Sequence, residues 1–239
     1  MSSVVVEADR VALVDEAIES RQSIRAFLSK PVKRQIIHDI LRVASRAPSG
    51  SNIQPWKTYV LQNQPLADLI DKVCQAHDAV RADPSLRERY QEPFSYYPEN
   101  WFEPYLGRRR ENGWGLYGLL GIKRGEKEKM HAQHQRNFRF FDAPVGLVFT
   151  VNKALGQGTL IDIGGYMQNI MTAARARGLD TCPQAAWNPF ESIVLRQIGA
   201  QPDETLVCAM ALGWADPAAK VNTLRTPREP VENFTVWCD

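Results

Sequence analysis

Apolar residues recur at helical spacing between residues 33 and 45, where Ile36, Ile37, Ile40, Leu41 and Ala44 make one face. The pattern predicts a helix there, with others over 11–19 and 66–79. Unbroken apolar runs at 145–151 and 206–212 predict two buried strands, and KTYVLQ at 57–62 predicts another. Residues 160–177 are apolar on more than one face, through Ile161, Ile163, Met167, Ile170, Met171 and Ala174, and stop at Gly178 after Arg175 and Arg177. Such a helix is central, or buried between subunits. Asn188, Pro189 and Glu191 stand in the order of helix N-cap, first helical position and back-bonding acid. Between 83 and 139 the periodicity fails: prolines, tryptophans, tyrosines and glycines crowd together with short basic runs, which predicts an irregular insertion. The tail from Asn222 is extended and punctuated by proline. No stretch has linker composition, so a single α+β domain over 1–239 is expected.

Composition narrows the function classes. The 239 residues are 44% apolar and 23% charged, with 29 Lys+Arg against 27 Asp+Glu, a balance of +2. That is ordinary globular composition, and it offers no overall electrostatic case for a nucleic-acid partner. The apolar runs fall far short of the roughly 20 residues a membrane span needs. The start, MSSVVVEADR, lacks the basic and apolar regions of a secretory signal, so a cytoplasmic location is expected. Cys74, Cys182, Cys208 and Cys238 form no C-x-x-C pair, which predicts reduced thiols. His131 and His134 share a helix face, but the flanking KEKMHAQHQR reads as a solvated helix and the other histidines are distant in sequence; no metal site is expected.

Gly113, Gly115 and Gly118 satisfy the letters of a dinucleotide fingerprint, but a basic stretch precedes them where a hydrophobic strand belongs, so they are read as loop glycines. Arg21, Gln22, Ser23, Ile24 and Arg25 place two guanidinium groups and a hydroxyl just after a helix, either as a solvated turn or as a phosphate clamp. Pro48, Ser49, Gly50, Ser51 and Asn52 form a loop in which small residues let backbone approach a flat ligand, while Asn52 and Gln54 supply donors and acceptors. Alone, that loop reads as an ordinary turn. Phe94, Tyr96, Tyr97, Trp101, Phe102, Tyr105 and Trp114 make the insertion dense in aromatic rings, a wall suited to a flat substrate. Arg108, Arg109 and Arg110 beside them read as a solvated basic turn.

Taken together and in order, these segments resemble the FMN-dependent nitroreductase family. The resemblance begins with the 21–25 segment and with Ala47 through Trp56. It continues through Asn137 and Phe138 to Pro144, the helix carrying Asp162, Ile163, Gly164 and Gly165, then Leu212, Gly213 and Trp214, and ends at Arg225, Thr226, Pro227 and Arg228. It covers nearly the whole chain and is strongest toward bacterial nitrobenzene and nitrobenzoate reductases. It implies a central, mostly antiparallel sheet flanked by helices, in an intertwined homodimer that binds non-covalent FMN at its interface. By the same resemblance Arg21, Ser23 and Arg225 hold the phosphate and Arg25 lies near the flavin pyrimidine edge. The Pro48, Ser49, Gly50 and Asn52 loop comes from the partner subunit's side of the cleft or lines its floor, and Gln184 and Ala185 face the flavin O4 and N5. Gln22 stands where many members carry a second arginine, Gln184 and Ala185 replace a glycine-containing turn, and Thr223 stands where some members have lysine. The implied activity is two-electron, ping-pong reduction of aromatic nitro compounds by NAD(P)H to nitroso and hydroxylamine products, with no side-chain nucleophile or metal. Enone, quinone or flavin reduction and reductive dehalogenation are the alternatives on the same framework, and a non-catalytic flavin-binding protein is a further one.

Overall fold

The computed structural model describes residues 2–238. Strands β1 (Phe27–Leu28), β2 (Lys57–Leu61), β3 (Val145–Asn152), β4 (Asp180–Gln184) and β5 (Glu204–Ala215) form one sheet in the order β1-β5-β3-β2, with β4 also paired to β5. Every strand pair is antiparallel. β3 and most of β5 are buried on both faces, which is why they read as unbroken apolar runs. Alternate side chains feed two cores. Val148, Ala209 and Ala211 point toward Phe138, Phe140, Trp187 and Leu69, whereas Leu147, Phe149, Met210 and Leu212 point toward Ile37, Ile40, Ile163 and Ile170.

The helices are α1 (Ser2–Glu19), α2 (Arg34–Ala44), α3 (Asn63–Ala82), α4 (Tyr105–Leu119), α5 (Lys127–Gln135), α6 (Thr159–Arg175) and α7 (Glu191–Ile198). α2 buries Ile37, Ile40 and Ala44 and packs on α6. α6 buries Ile163, Tyr166, Met167, Ile170, Ala173 and Ala174 while leaving Ile161 80% exposed. Among the described residues no helix is long and apolar enough to cross a membrane. Cys74, Cys182 and Cys208 are buried and Cys238 is exposed, none bonded to another.

Three expectations are corrected. The 83–139 segment is not irregular throughout, because it contains α4 and α5. Neither helix buries a residue, so neither carries an apolar face that periodicity can detect. Gly113, Gly115 and Gly118 lie inside α4 rather than in a loop, and a Cβ on Gly115 would stand 3.1 Å from Leu224 Cδ1. Asn188 is not a helix cap: it is buried in the turn Ala185–Phe190 and donates to the Val207 carbonyl at 3.2 Å. α7 starts at Glu191, whose carboxylate accepts from Thr205 Oγ1 at 2.7 Å and the Leu206 amide at 2.9 Å instead of bonding back.

Packing also reunites histidines that the sequence reading kept apart. His77 on α3 stacks on His131 of α5, with centroids 4.3 Å apart and planes 5° from parallel. His77 Nε2 lies 3.2 Å from His134 Nδ1, and Asp78 takes hydrogen bonds from His131 Nε2 at 2.7 Å and Gln135 Nε2 at 2.8 Å. Burial, with His131 and His134 alongside, pushes His77 down to about 4, against the opposing pull of Asp78.

Two outcomes follow from this packing. A Cβ at Gly146 in β3 would stand 2.8 Å from Phe140 Cζ and 2.9 Å from Leu66 Cδ1. Gly146→Ala is therefore expected to lower stability by about 1–3 kcal/mol through overpacking, measured by urea unfolding. The unfolded chain protonates His77 near pH 6.5, a range in which the folded protein keeps it neutral. The associated stability is complete above about pH 6.5 and declines as pH falls toward about 4. Thermal unfolding from pH 7 to 4.5 in chelator should show this decline, and His77→Gln should flatten it.

Candidate functional site

The 21–25 segment leaves α1 and is fastened to β4. Ser23 bridges Thr181, and the Ile24 amide donates to the Thr181 carbonyl at 3.0 Å. Its far end is held by the chain's C-terminal part: the Arg25 amide donates to Asn222 Oδ1 at 2.9 Å, and Asn222 Nδ2 donates to the Ala26 carbonyl at 2.8 Å. Arg225 donates to the Gln22 side-chain oxygen and, at 3.0 Å, to the Asn222 carbonyl. Gln22 thus orients a guanidinium group where a second arginine would repel it.

Arg21, Arg25, Arg225 and Arg228 line one open cavity of about 790 Å³ together with Gln22 and Ser23. Glu19 is the only carboxylate lining it among the described residues, and none of the four arginines forms an ion pair among them. Burial and the like charge of Arg228 both lower the Arg21 pKa, slightly opposed by Cys182. Four guanidinium groups with so little countercharge suit a multiply charged phosphate, which accepts forked, charge-assisted hydrogen bonds. Arg21, Gln22, Ser23, Arg25 and Arg225, five of the residues expected at the cofactor, therefore line one cavity. Arg228 and Asn222 were missed as site residues; the only signal for Arg228 is its place three residues after Arg225.

The 48–52 loop stands apart from this cavity within the chain. Gln54 donates its amide to Ser49 Oγ at 2.9 Å, and the Gly50 amide faces the Asp162 carboxylate at 3.4 Å. Ser51, Asn52 and Gln54 all adopt positive φ, at 49°, 57° and 47°. Such backbone persists only where its surroundings enforce it, and it concentrates at ligand clamps. Pro48, Gly50 and Asn52 are exposed and Ser49 is half-buried.

At the end of β4, Gln184 is buried; its Nε2 donates to the Asn137 carbonyl at 2.7 Å while its Oε1 has no partner among the described residues. Ala185 lines a second, largely apolar cavity of about 470 Å³ with Phe94, Tyr96, Met167, Met171 and Cys208. Two of the predicted aromatic residues, Phe94 and Tyr96, therefore reach the predicted cofactor edge at Ala185. The others pack on one another. Tyr97 lies against Trp101 at 5.3 Å, Arg109 covers Trp101 at 4.5 Å, and Phe102 meets Tyr105 edge-on at 5.1 Å. Trp114 is 72% exposed on α4 and lines neither cavity. Met167 and Met171 were legible as buried helix residues but not as cavity walls.

Comparison with known proteins accords with this arrangement. A family model described as "Nitroreductase family" matches residues 18–214. The chain is 38% identical over 228 residues to a 4-nitrobenzoate reductase of Nocardioides sp. (strain LMS-CY), covering 94% of this chain and 90% of that protein. It is also 38% identical over 224 residues to a chloronitrobenzene nitroreductase of Comamonas testosteroni, covering 94% and 96%. Its fold superposes with a TM-score of 0.87 on the FMN and NADPH-dependent nitroreductase NfnB from sphigopyxis sp. strain HMH, at 34% identity over 95% of this chain and 99% of that one. With an antiparallel sheet, an arginine-lined cleft beside its β4 edge and matches running through both, the chain belongs to the nitroreductase family.

Proposed function

We propose that this protein is an FMN-dependent NAD(P)H oxidoreductase that reduces aromatic nitro compounds and works as a homodimer. The observation that carries the reading is the cluster of Arg21, Arg25, Arg225 and Arg228 in one cavity with a single carboxylate among its described lining residues. Arg21, Ser23 and Arg225 would hold the cofactor phosphate, with Arg228 adding charge. Arg25, anchored through Asn222, would present a fixed cation to the pyrimidine edge and favour negative charge there. The backbone at Gln184 and Ala185 would face the reactive edge, beside the apolar cavity of Phe94, Tyr96 and Met167. Non-covalent FMN supplies the hydride chemistry when bound. The cavity's task is to seat the nicotinamide and the nitroarene flat and in turn, away from water. Each two-electron step consumes one NAD(P)H and one proton. The first takes nitroarene to nitrosoarene and water, and the second takes nitrosoarene to hydroxylamine.

Exposed apolar residues favour the dimer. Leu13 is 70% exposed on α1, Ile161 80% on α6, and Phe234 and Trp237 68% and 80% in the C-terminal tail. Val11, Leu13, Val14 and Ile18 stand exposed together on α1, and grouped apolar surface of this kind marks an interaction face rather than a solvated one. A second copy covering them would bring its 48–52 loop, exposed and strained within one chain, to the cleft.

The decisive assay is anaerobic steady-state kinetics of the FMN-reconstituted protein with NADH and NADPH against nitrobenzene, nitrobenzoate, a quinone and an enone, with products identified. NAD(P)H oxidation that depends on the nitroarene and yields hydroxylamine is expected. Turnover of quinone or enone alone would overturn the substrate class, and failure to retain flavin would overturn the cofactor. Arg21→Ala and Arg225→Ala should each weaken FMN binding about 10- to 100-fold, the equivalent of one charge-assisted hydrogen bond of about 1.5–3 kcal/mol, measured by flavin fluorescence titration.

A further inference from the structure

We propose that His77, His131 and His134, with Asp78, form a binding site for one divalent transition-metal ion of the zinc class, outside the arginine cleft. The whole chain has 4 histidines, and three of them meet between α3 and α5, while His38 lies exposed on α2. One donor atom from each of His77, Asp78 and His131 falls within 4.8 Å of the others, and His134 Nδ1 is 3.2 Å from His77 Nε2. Donors bound to zinc at 2.0–2.2 Å in a tetrahedron stand about 3.3–3.6 Å apart. The His77 and His134 pair already has nearly that spacing. The rest of the set reaches it by rearrangement of two side chains: half-buried His131 turns its ring out of the parallel stack on His77 so that both in-plane nitrogen lone pairs meet at one point, and exposed Asp78 follows.

A further observation points to a ligand. The cluster forms part of the wall of an open cavity of about 750 Å³, which gives an ion a route in. Imidazole and carboxylate donors on two helices suit a borderline cation rather than calcium or magnesium, which take oxygen ligands.

A structural reason accompanies the chemistry. α5 buries no residue, and its hold on α3 is polar: the Arg81 ion pair with Glu128, the His131 and Gln135 bonds to Asp78, and the His77–His134 contact. An ion bridging the two helices would give α5 the anchor that apolar packing does not. It would also tie the two ends of the segment carrying Phe94 and Tyr96.

The test is zinc chloride titration of the untagged, full-length, FMN-reconstituted protein after chelator treatment, read by calorimetry and by the thermal midpoint. One zinc per chain with a raised midpoint is expected, with affinity reduced at least about tenfold in His77→Gln and in His131→Gln proteins that retain flavin. Electron paramagnetic resonance of the wild-type protein with one equivalent of copper(II) gives a readout that needs no variant, and hyperfine structure from at least two imidazole nitrogens is expected. Absence of zinc uptake, equal uptake in a flavin-retaining double variant, or a copper spectrum without imidazole nitrogen would overturn the proposal.

Discussion

β5 is hydrogen-bonded along both edges, to β3 on one side and to β4 and then β1 on the other. This double pairing fixes the level of β4 against the core, and β4 in turn fixes the 21–25 segment through Thr181. A slip of one residue between β4 and β5 would turn every β4 side chain to the opposite face. Gln184 would then leave the core, and the backbone at Ala185 would move away from Phe94 and Tyr96. Gly213 of β5, paired with Asp180, has room for no side chain, because a Cβ there would meet Pro144 Cδ at 2.7 Å. Close approach of the Pro144 turn to the sheet therefore constrains the same register.

Positive charge in the cleft is arranged by groups that carry no charge. Asn222 accepts from the Arg25 amide and donates to the Ala26 carbonyl, and Gln22 accepts from Arg225. Gln22 holds the Arg225 guanidinium, and Asn222 holds the backbone that carries Arg25, without the neutralisation a carboxylate would bring. The contrast lies at the far end of the sheet, where Glu204 closes a salt bridge with Lys57 at 2.5 Å and also accepts from Tyr59 and Thr150. Burial there pushes the carboxyl up, but hydrogen bonds from Lys57, Thr150, the Gln201 amide and Tyr59 prevail and bring it to about 2. One region of the sheet has its charge compensated, and the other does not.

Elements with a continuous apolar face were legible in the sequence. α2, α3, α6, β2, β3 and β5 coincide with the predicted segments because burial writes itself into their periodicity. α4 and α5 left no such trace, since they bury no residue. β4 reads DTCPQ, with a proline inside, and exists because backbone groups pair with β5. At the site, Arg21, Arg25 and Arg225 could be placed by the order of motifs. Asn222 could not, because its contact with Arg25 joins residues 197 positions apart. The histidine cluster is hidden for the same reason, its members being joined across 53 and 57 positions by the packing of two helices.

Cys208 forms part of the wall of the apolar cavity beside Ala185, and Cys182 lies on β4 close to the arginines. Burial raises both thiols, Cys182 to about 11 and Cys208 to about 12. At neutral pH each remains protonated and is a poor nucleophile. A nitrosoarene, the intermediate of the proposed reaction, is captured at nitrogen by a thiolate far faster than by a thiol, so the protonated Cys208 would leave it untouched. Low reactivity toward an electrophile in the cavity is thus built into the depth at which these two cysteines are buried.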